Sequence, residues 1–164
     1  MIGPLEVKLS GKRLEDENYR FRSFLKGHAD EEKLDRQFLA LHNELFPGYD
    51  CSSCRNCCID YAPSLKEEEL EQALAVAQMP RDAFLRQHAI QTEDGFQLKK
   101  LPCYFLGEDK SCGLEHCKPQ CCREYPHTDK PERLSSLLGI VASASVCPVV
   151  FEILQQLKKI YGFR

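Results

Sequence analysis

Cys51-Ser52-Ser53-Cys54-Arg55-Asn56-Cys57-Cys58 decides how this chain is read. Two successive C-x-x-C steps end in a cysteine pair, and two intervening residues let a backbone curl so that soft thiolates turn toward one centre. A single C-x-x-C step would say little. Four thiols packed into one short segment point to a metal. The adjacent pair adds a constraint, because neighbouring side chains diverge on a strand and stand about 100° apart on a helix. Cys57 and Cys58 are therefore expected to serve different metals, or to divide so that one serves a multinuclear cluster and the other packs inside.

Outward from this segment, four more cysteines lie far along the chain: Cys103 before Tyr104-Phe105, Cys112 after a polar loop, Cys122 before Arg123 and Cys147 before Pro148. Distant ligands drawn to one centre would tie helices to a small sheet. Metal binding would then contribute folding free energy, on the order of 10 kcal/mol or more for zinc in small thiolate sites. Cys117 and Cys121 complete the ten cysteines, and the spacing leaves open whether they are ligands. The amino terminus lacks the apolar run of a signal peptide and no stretch approaches bilayer length, so a cytoplasmic address is expected. Persistent disulfides are rare there, which leaves metal binding or thiol chemistry for these residues.

The 164 residues, 43% of them apolar, suffice for one hydrophobic core, and a single domain over residues 1–164 is expected. Within it, residues 1–50 read as a helical arm and 51–164 as the cysteine core. The balance of 22 basic against 25 acidic residues leaves a net charge of -3 and no clustered basic face, which argues against a nucleic-acid partner. Leu34, Phe38, Leu41 and Leu45 fall at helical spacing between an N-cap at Asp30 and a stop at Pro47-Gly48. Ser64-Leu65-Lys66-Glu67 predicts a capping box opening a helix to about Gln78 with Leu70, Leu74 and Ala77 inward. Pro80 is expected at the first position of a short helix containing Phe84 and Leu85. Asp94-Gly95 marks a turn, and Phe96 and Leu98 alternate with polar residues, so two or three short strands are expected between Ile90 and Cys112. Leu134, Leu137, Leu138 and Val141 form one late helical stripe, and Pro148 opens another through Val150, Phe151, Leu154, Leu157 and Tyr161. The expected class is α+β, mainly helical, with short strands around an irregular cysteine-rich centre.

With these residues in view, the chain resembles the zinc- or iron-chelating cysteine-cluster family, the CxxCxxCC domain proteins. The resemblance rests on Cys51 to Cys58, on Pro102-Cys103-Tyr104-Phe105-Leu106, and on Cys112 followed by Lys118-Pro119-Gln120-Cys121-Cys122-Arg123-Glu124-Tyr125-Pro126, with a late Cys147-Pro148. It extends from about Asn18 to the end of the chain. Carried over by position, it implies eight metal ligands: Cys51, Cys54, Cys57, Cys58, Cys103, Cys112, Cys122 and Cys147. The chain departs from the family pattern with Arg55 where Gly is frequent, Glu115 where an aromatic is expected, Lys118 where Arg is usual, and extra cysteines at Cys117 and Cys121.

Eight thiolates divide into two tetrahedral zinc sites, or into a four-thiolate 4Fe-4S cluster with four cysteines over. Cys51, Cys54 and Cys57 match the C-x2-C-x2-C run of bacterial ferredoxins, with Cys147-Pro148 as a remote fourth ligand. The scatter of the remaining ligands suits structural zinc. Either centre carries net negative charge, so Arg55, Lys118 and Arg123 are candidate nearby cations, against the reading that all three are solvated surface residues. His116 and His127 near the third motif are expected at the surface. The function expected is metal binding, with the site structural or serving metal handling or electron transfer. No catalytic or cofactor-cradling motif is visible, so a catalytic role is not expected. The family resemblance also permits a cluster-dependent modifying enzyme such as a protein lysine methylase, and the paired cysteines permit a thiol-disulfide redox protein. A zinc-ribbon nucleic-acid module ranks last because the basic and aromatic face it needs is missing.

Overall fold

The computed structural model describes residues 1–164. In chain order its elements are α1 (Pro4–Arg13), α2 (Glu15–His28), α3 (Glu31–Leu45), α4 (Cys51–Cys54), α5 (Asn56–Asp60), β1 (Ser64–Leu65), α6 (Glu67–Ala77), α7 (Arg81–His88), β2 (Ala89–Thr92), β3 (Gly95–Leu98), α8 (Gln120–Glu124), α9 (Arg133–Ser143) and α10 (Pro148–Ile160). The chain is α+β and mainly helical. It divides into two compact units, Met1–Asp50 with Pro126–Arg164, and Cys51–Tyr125. The segment from Pro126 onward thus keeps company with the N-terminal helices. No helix is long and apolar enough to cross a membrane.

In the helical unit, Asp30 caps α3 by accepting the Lys33 backbone N–H at 2.8 Å, and Leu34, Phe38 and Leu41 are buried on one face. Pro148, the first residue of α10, needs no N–H there, and Val149, Val150, Phe151, Ile153, Leu154 and Leu157 are buried behind it. The α9 stripe differs from expectation at Leu138, which is 54% exposed, because the inward face runs through Arg133, Leu137, Ile140 and Val141. Helix α1 has no apolar period to announce it. Its buried residues are Val7, Ser10 and Gly11, and a Cβ on Gly11 would come within 2.9 Å of the Ala144 carbonyl oxygen and overlap the Ser145 backbone.

The buried ammonium of α10 has two partners. The Lys158 ammonium donates to Glu17 Oε1 and Asn18 Oδ1, each at 2.6 Å. The Asp35 carboxylate of α3 accepts the backbone N–H groups of Glu132 and Arg133, both at 2.8 Å, and so caps α9 from a neighbouring helix. Asp35→Ala is expected to cost about 1 kcal/mol, the ordinary value of a lost helix cap. Thermal unfolding of the full chain checks this, and an unchanged Tm would mean water replaces the carboxylate without loss.

In the cysteine unit, the sheet has strand order β1-β3-β2 and both pairings are antiparallel. The expected turn at Asp94-Gly95 closes the β2–β3 hairpin, where Thr92 faces Gly95. Gly95 has φ 144°, and a Cβ there would run into the Leu65 carbonyl oxygen of β1. Phe96 and Leu98 alternate inward as expected and pack with Leu65, Leu70, Ala73, Leu74, Phe84, Phe105 and Leu114. Cys103, Cys112 and Cys117 lie partly buried against this core.

Two boundaries shift. Ser64 is not a helix cap: it pairs with Gln97 in β1, and the cap position passes to Lys66, whose backbone N–H is accepted by Glu69 Oε2 at 2.9 Å. Strand pairing has claimed the residues that local sequence offered to the helix. Pro80 stands one place earlier than expected, as the N-cap of α7.

Candidate metal centre

The first motif folds as two short helical turns. Helix α4 carries Cys51 and Cys54, helix α5 carries Cys57 and Cys58, and Arg55 between them is left-handed with φ 55°. The Arg55 N–H donates to the Cys51 carbonyl at 3.2 Å, and the Arg55 carbonyl accepts from Ile59 N–H at 3.2 Å. This hinge interrupts what would otherwise be one helix, so each turn aims its cysteines independently. Cys57 and Cys58 are consecutive on α5, and their thiols stay within hydrogen-bonding reach of each other.

Backbone bonds bring the other motifs alongside. The Cys103 N–H donates to the Cys58 carbonyl at 2.7 Å, joining the second motif to the first. Leu106 and Cys112 form an antiparallel bridge that closes the polar loop, and Asp109 within it accepts the Ser111 N–H at 2.9 Å and the Ser111 hydroxyl at 2.6 Å. The third motif is anchored by Glu69. One oxygen caps α6 and the other accepts the Gln120 backbone N–H at 2.7 Å, at the start of the helix that carries Cys121 and Cys122. Glu69→Ala should cost about 1 kcal/mol for these bonds at a half-buried site. It should also quicken amide hydrogen exchange at Gln120 and along α8; unchanged exchange there would separate Glu69 from the placement of Cys122.

Charge is concentrated beside Cys58. Arg55 is 7% exposed, its Nε donates to the Lys110 carbonyl at 3.1 Å and its Nη2 to Glu115 Oε2 at 3.0 Å. Lys118 Nζ donates to the other Glu115 oxygen at 2.6 Å. Two cations share one carboxylate, which leaves positive charge facing the thiols. The Cys58 thiol is drawn down to about 6, first by a hydrogen bond from Cys57 and then by the charges of Arg55 and Lys118, against the effect of burial. Burial pushes Cys103 up, and the charges of Cys58 and Cys112 add to it. Cys122 is also pushed up, by its hydrogen bond to Cys121, by burial, and by the charges of Cys121, Cys103 and Cys58. The charges of Cys58 and Cys112 thus reach Cys103, and those of Cys58 and Cys103 reach Cys122.

The family described as a "Putative zinc- or iron-chelating domain", CxxCxxCC, matches residues 50–148. The chain belongs to the CxxCxxCC family. The match covers more than half of the chain, takes in every cysteine from Cys51 to Cys147 and leaves out α1 to α3, a narrower span than the resemblance from Asn18. No curated protein and no solved structure matches the chain. Metal binding is thereby supported at the level of the family.

Within this CxxCxxCC protein, seven of the eight candidate ligands, Cys51, Cys54, Cys57, Cys58, Cys103, Cys112 and Cys122, fall in the cysteine unit, and Cys147 falls in the helical unit. Cys147 is 7% exposed and is the N-cap of α10. No disulfide joins any of the ten cysteines. No group of three or more Cys, His, Asp or Glu side chains is placed to hold a metal ion. The donor set nevertheless suits the metals the family implies: reduced thiols are what tetrahedral zinc and iron-sulfur clusters take, and a buried guanidinium beside them offsets the negative charge such a centre carries. Of the three candidate cations, Arg55 is buried and Lys118 half-buried with it, whereas Arg123 is exposed and donates to the Lys118 carbonyl. Two residues that matter to the site were missed from sequence. Glu69 sits in the expected capping region two places beyond Glu67, so a shifted box was its signal. Glu115 was noticed only as an unusual residue, with nothing local to say that it meets Arg55.

Proposed function

We propose that this CxxCxxCC protein holds zinc or iron through cysteine thiolates in a reducing, cytoplasmic setting. Cys51, Cys54, Cys57, Cys58, Cys103, Cys112, Cys122 and Cys147 are the ligand candidates. The family match over residues 50–148 supports this reading, together with the backbone bond that joins Cys103 to Cys58 close to the buried Arg55. Buried positive charge costs desolvation energy, and Glu115 is already shared with Lys118. An anionic thiolate centre is the counter-charge that makes this arrangement favourable. When bound, zinc would cross-link the motifs, and an iron-sulfur cluster would add electron transfer.

The test is anaerobic purification of the full chain with elemental analysis and a visible spectrum. Stoichiometric zinc in a colourless protein, or iron in a brown one, supports the reading and distinguishes the two metals. Protein that carries neither and takes up neither on reconstitution refutes it.

A further inference from the structure

Strand β2 is an open edge of the sheet. Its residues, Ala89-Ile90-Gln91-Thr92, carry no charge, no proline and no bulge, three of the devices that keep such an edge from pairing. The Lys99 N–H donates to the His88 carbonyl at 2.9 Å, so the alternation of an antiparallel ladder turns the backbone groups of Ile90 and Thr92 toward β3 and those of Ala89 and Gln91 away from it. The Ala89 N–H is taken by the Leu85 carbonyl at the end of α7. That leaves the Ala89 carbonyl and both backbone groups of Gln91 for a further strand, with Ile90 beside them 55% exposed. Charge is sorted along the same edge. Arg86 and Lys99, both exposed, stand at its start, where the Lys99 ammonium reaches the Arg86 carbonyl at 2.9 Å, and Glu93 and Asp94 stand exposed at the turn that ends it.

We propose that β2 is a self-association edge: a second copy of this chain adds its own β2 antiparallel about a two-fold axis, joining two three-stranded sheets into one continuous sheet. The occupant follows from the charge. Antiparallel pairing lays Glu93 and Asp94 of each copy against Arg86 and Lys99 of the other, so both ends of the edge gain opposite charges at once. Parallel pairing would set like charges together. At the axis the Gln91 N–H and C=O exchange bonds with those of the second copy, and Ile90 of each copy then stands across from Thr92 of the other. A strand this short makes a weak, reversible dimer and not an obligate one.

Sedimentation equilibrium of the full chain measures the association over a roughly hundredfold range of concentration, with a reductant present to keep the free thiols from cross-linking. Wild type is expected to pass from one chain to two as concentration rises, and back toward one as salt is added. Ile90→Lys should stay a single chain. Because Ile90 is exposed, that variant should match dilute wild type in circular dichroism and Tm. Glu93→Lys and Lys99→Glu should each weaken the dimer severalfold, and the double variant should recover it, since each swapped charge then meets its complement across the axis. As a readout independent of any variant, amide exchange at Gln91 should be slower in concentrated than in dilute wild type. Wild type that stays a single chain throughout overturns the proposal, as does a dimer that persists in Ile90→Lys or a double variant no stronger than the single ones. Protection of Gln91 that appears only when an extended peptide of another protein is added would also overturn it, by making the edge a site for a different partner.

Discussion

Cys58→Ser is expected to leave the purified chain with less than half the metal of wild type and to destabilise the loaded protein by about 4 kcal/mol, the range reserved for loss of a metal site. The physical reason is position. Cys58 feels Cys57, Arg55 and Lys118, adds its charge to Cys103 and Cys122, and through its carbonyl holds the Cys103 backbone. Serine keeps that backbone bond and nearly the same volume, so what is lost is the soft, readily ionised donor. Cys54→Ser should also lose metal, since Cys54 stands on the preceding turn of the same motif. Cys117→Ser should keep it, because Cys117 packs against the apolar core and falls outside the family ligand pattern. Elemental analysis gives the metal content, and thermal unfolding with and without a chelator gives the stability. Chelator should bring wild type close to Cys58→Ser and leave the variant nearly unmoved. Equal metal in Cys58→Ser and wild type would remove Cys58 from the ligand set and weaken the neighbourhood argument built on it.

Much of the helical unit was legible because its signals are local. Asp30 accepts a bond three residues ahead, Pro148 sets its own φ, and the stripes of α3 and α10 are dense enough to show a helical period. Helix α1 was not legible, because it is held by a close approach at Gly11 that no pattern of apolar residues records. The same division runs through the cysteine unit. The C-x-x-C steps and the Asp94-Gly95 turn are short-range and were visible. The surrender of Ser64 to β1 depends on Gln97 across the sheet, and the bond from Gln120 to Glu69 spans 51 residues, so neither has a local trace. The left-handed turn at Arg55 hid for a different reason. A non-glycine residue in that region is uncommon, and its sequence gives no warning.

Arg55, Glu115 and Lys118 meet in one ion network. The left-handed φ of 55° at Arg55 is a conformation that Gly adopts without the roughly 1 kcal/mol penalty of a side chain. Here the penalty is offset by bonds to Glu115 and the Lys110 carbonyl and by charge delivered to Cys58 and Cys112. Arg55→Gly separates the two effects, because it relieves the backbone while removing the cation. It is expected to lower metal affinity by about 10- to 100-fold, the usual cost of losing a group that supports a ligand. Arg55→Met keeps the strain and loses the charge, so it should match Arg55→Gly in affinity and fall below it in metal-free stability. The pair Arg55→Gly and Glu115→Ala should also be non-additive by about 1 kcal/mol, as expected for residues in direct contact. Zinc competition against a chelator of known strength measures the affinities, and thermal unfolding of the metal-free variants measures the coupling. If Arg55→Gly binds zinc as tightly as wild type, the guanidinium is there to satisfy Glu115 alone, and its charge has no part in holding the centre.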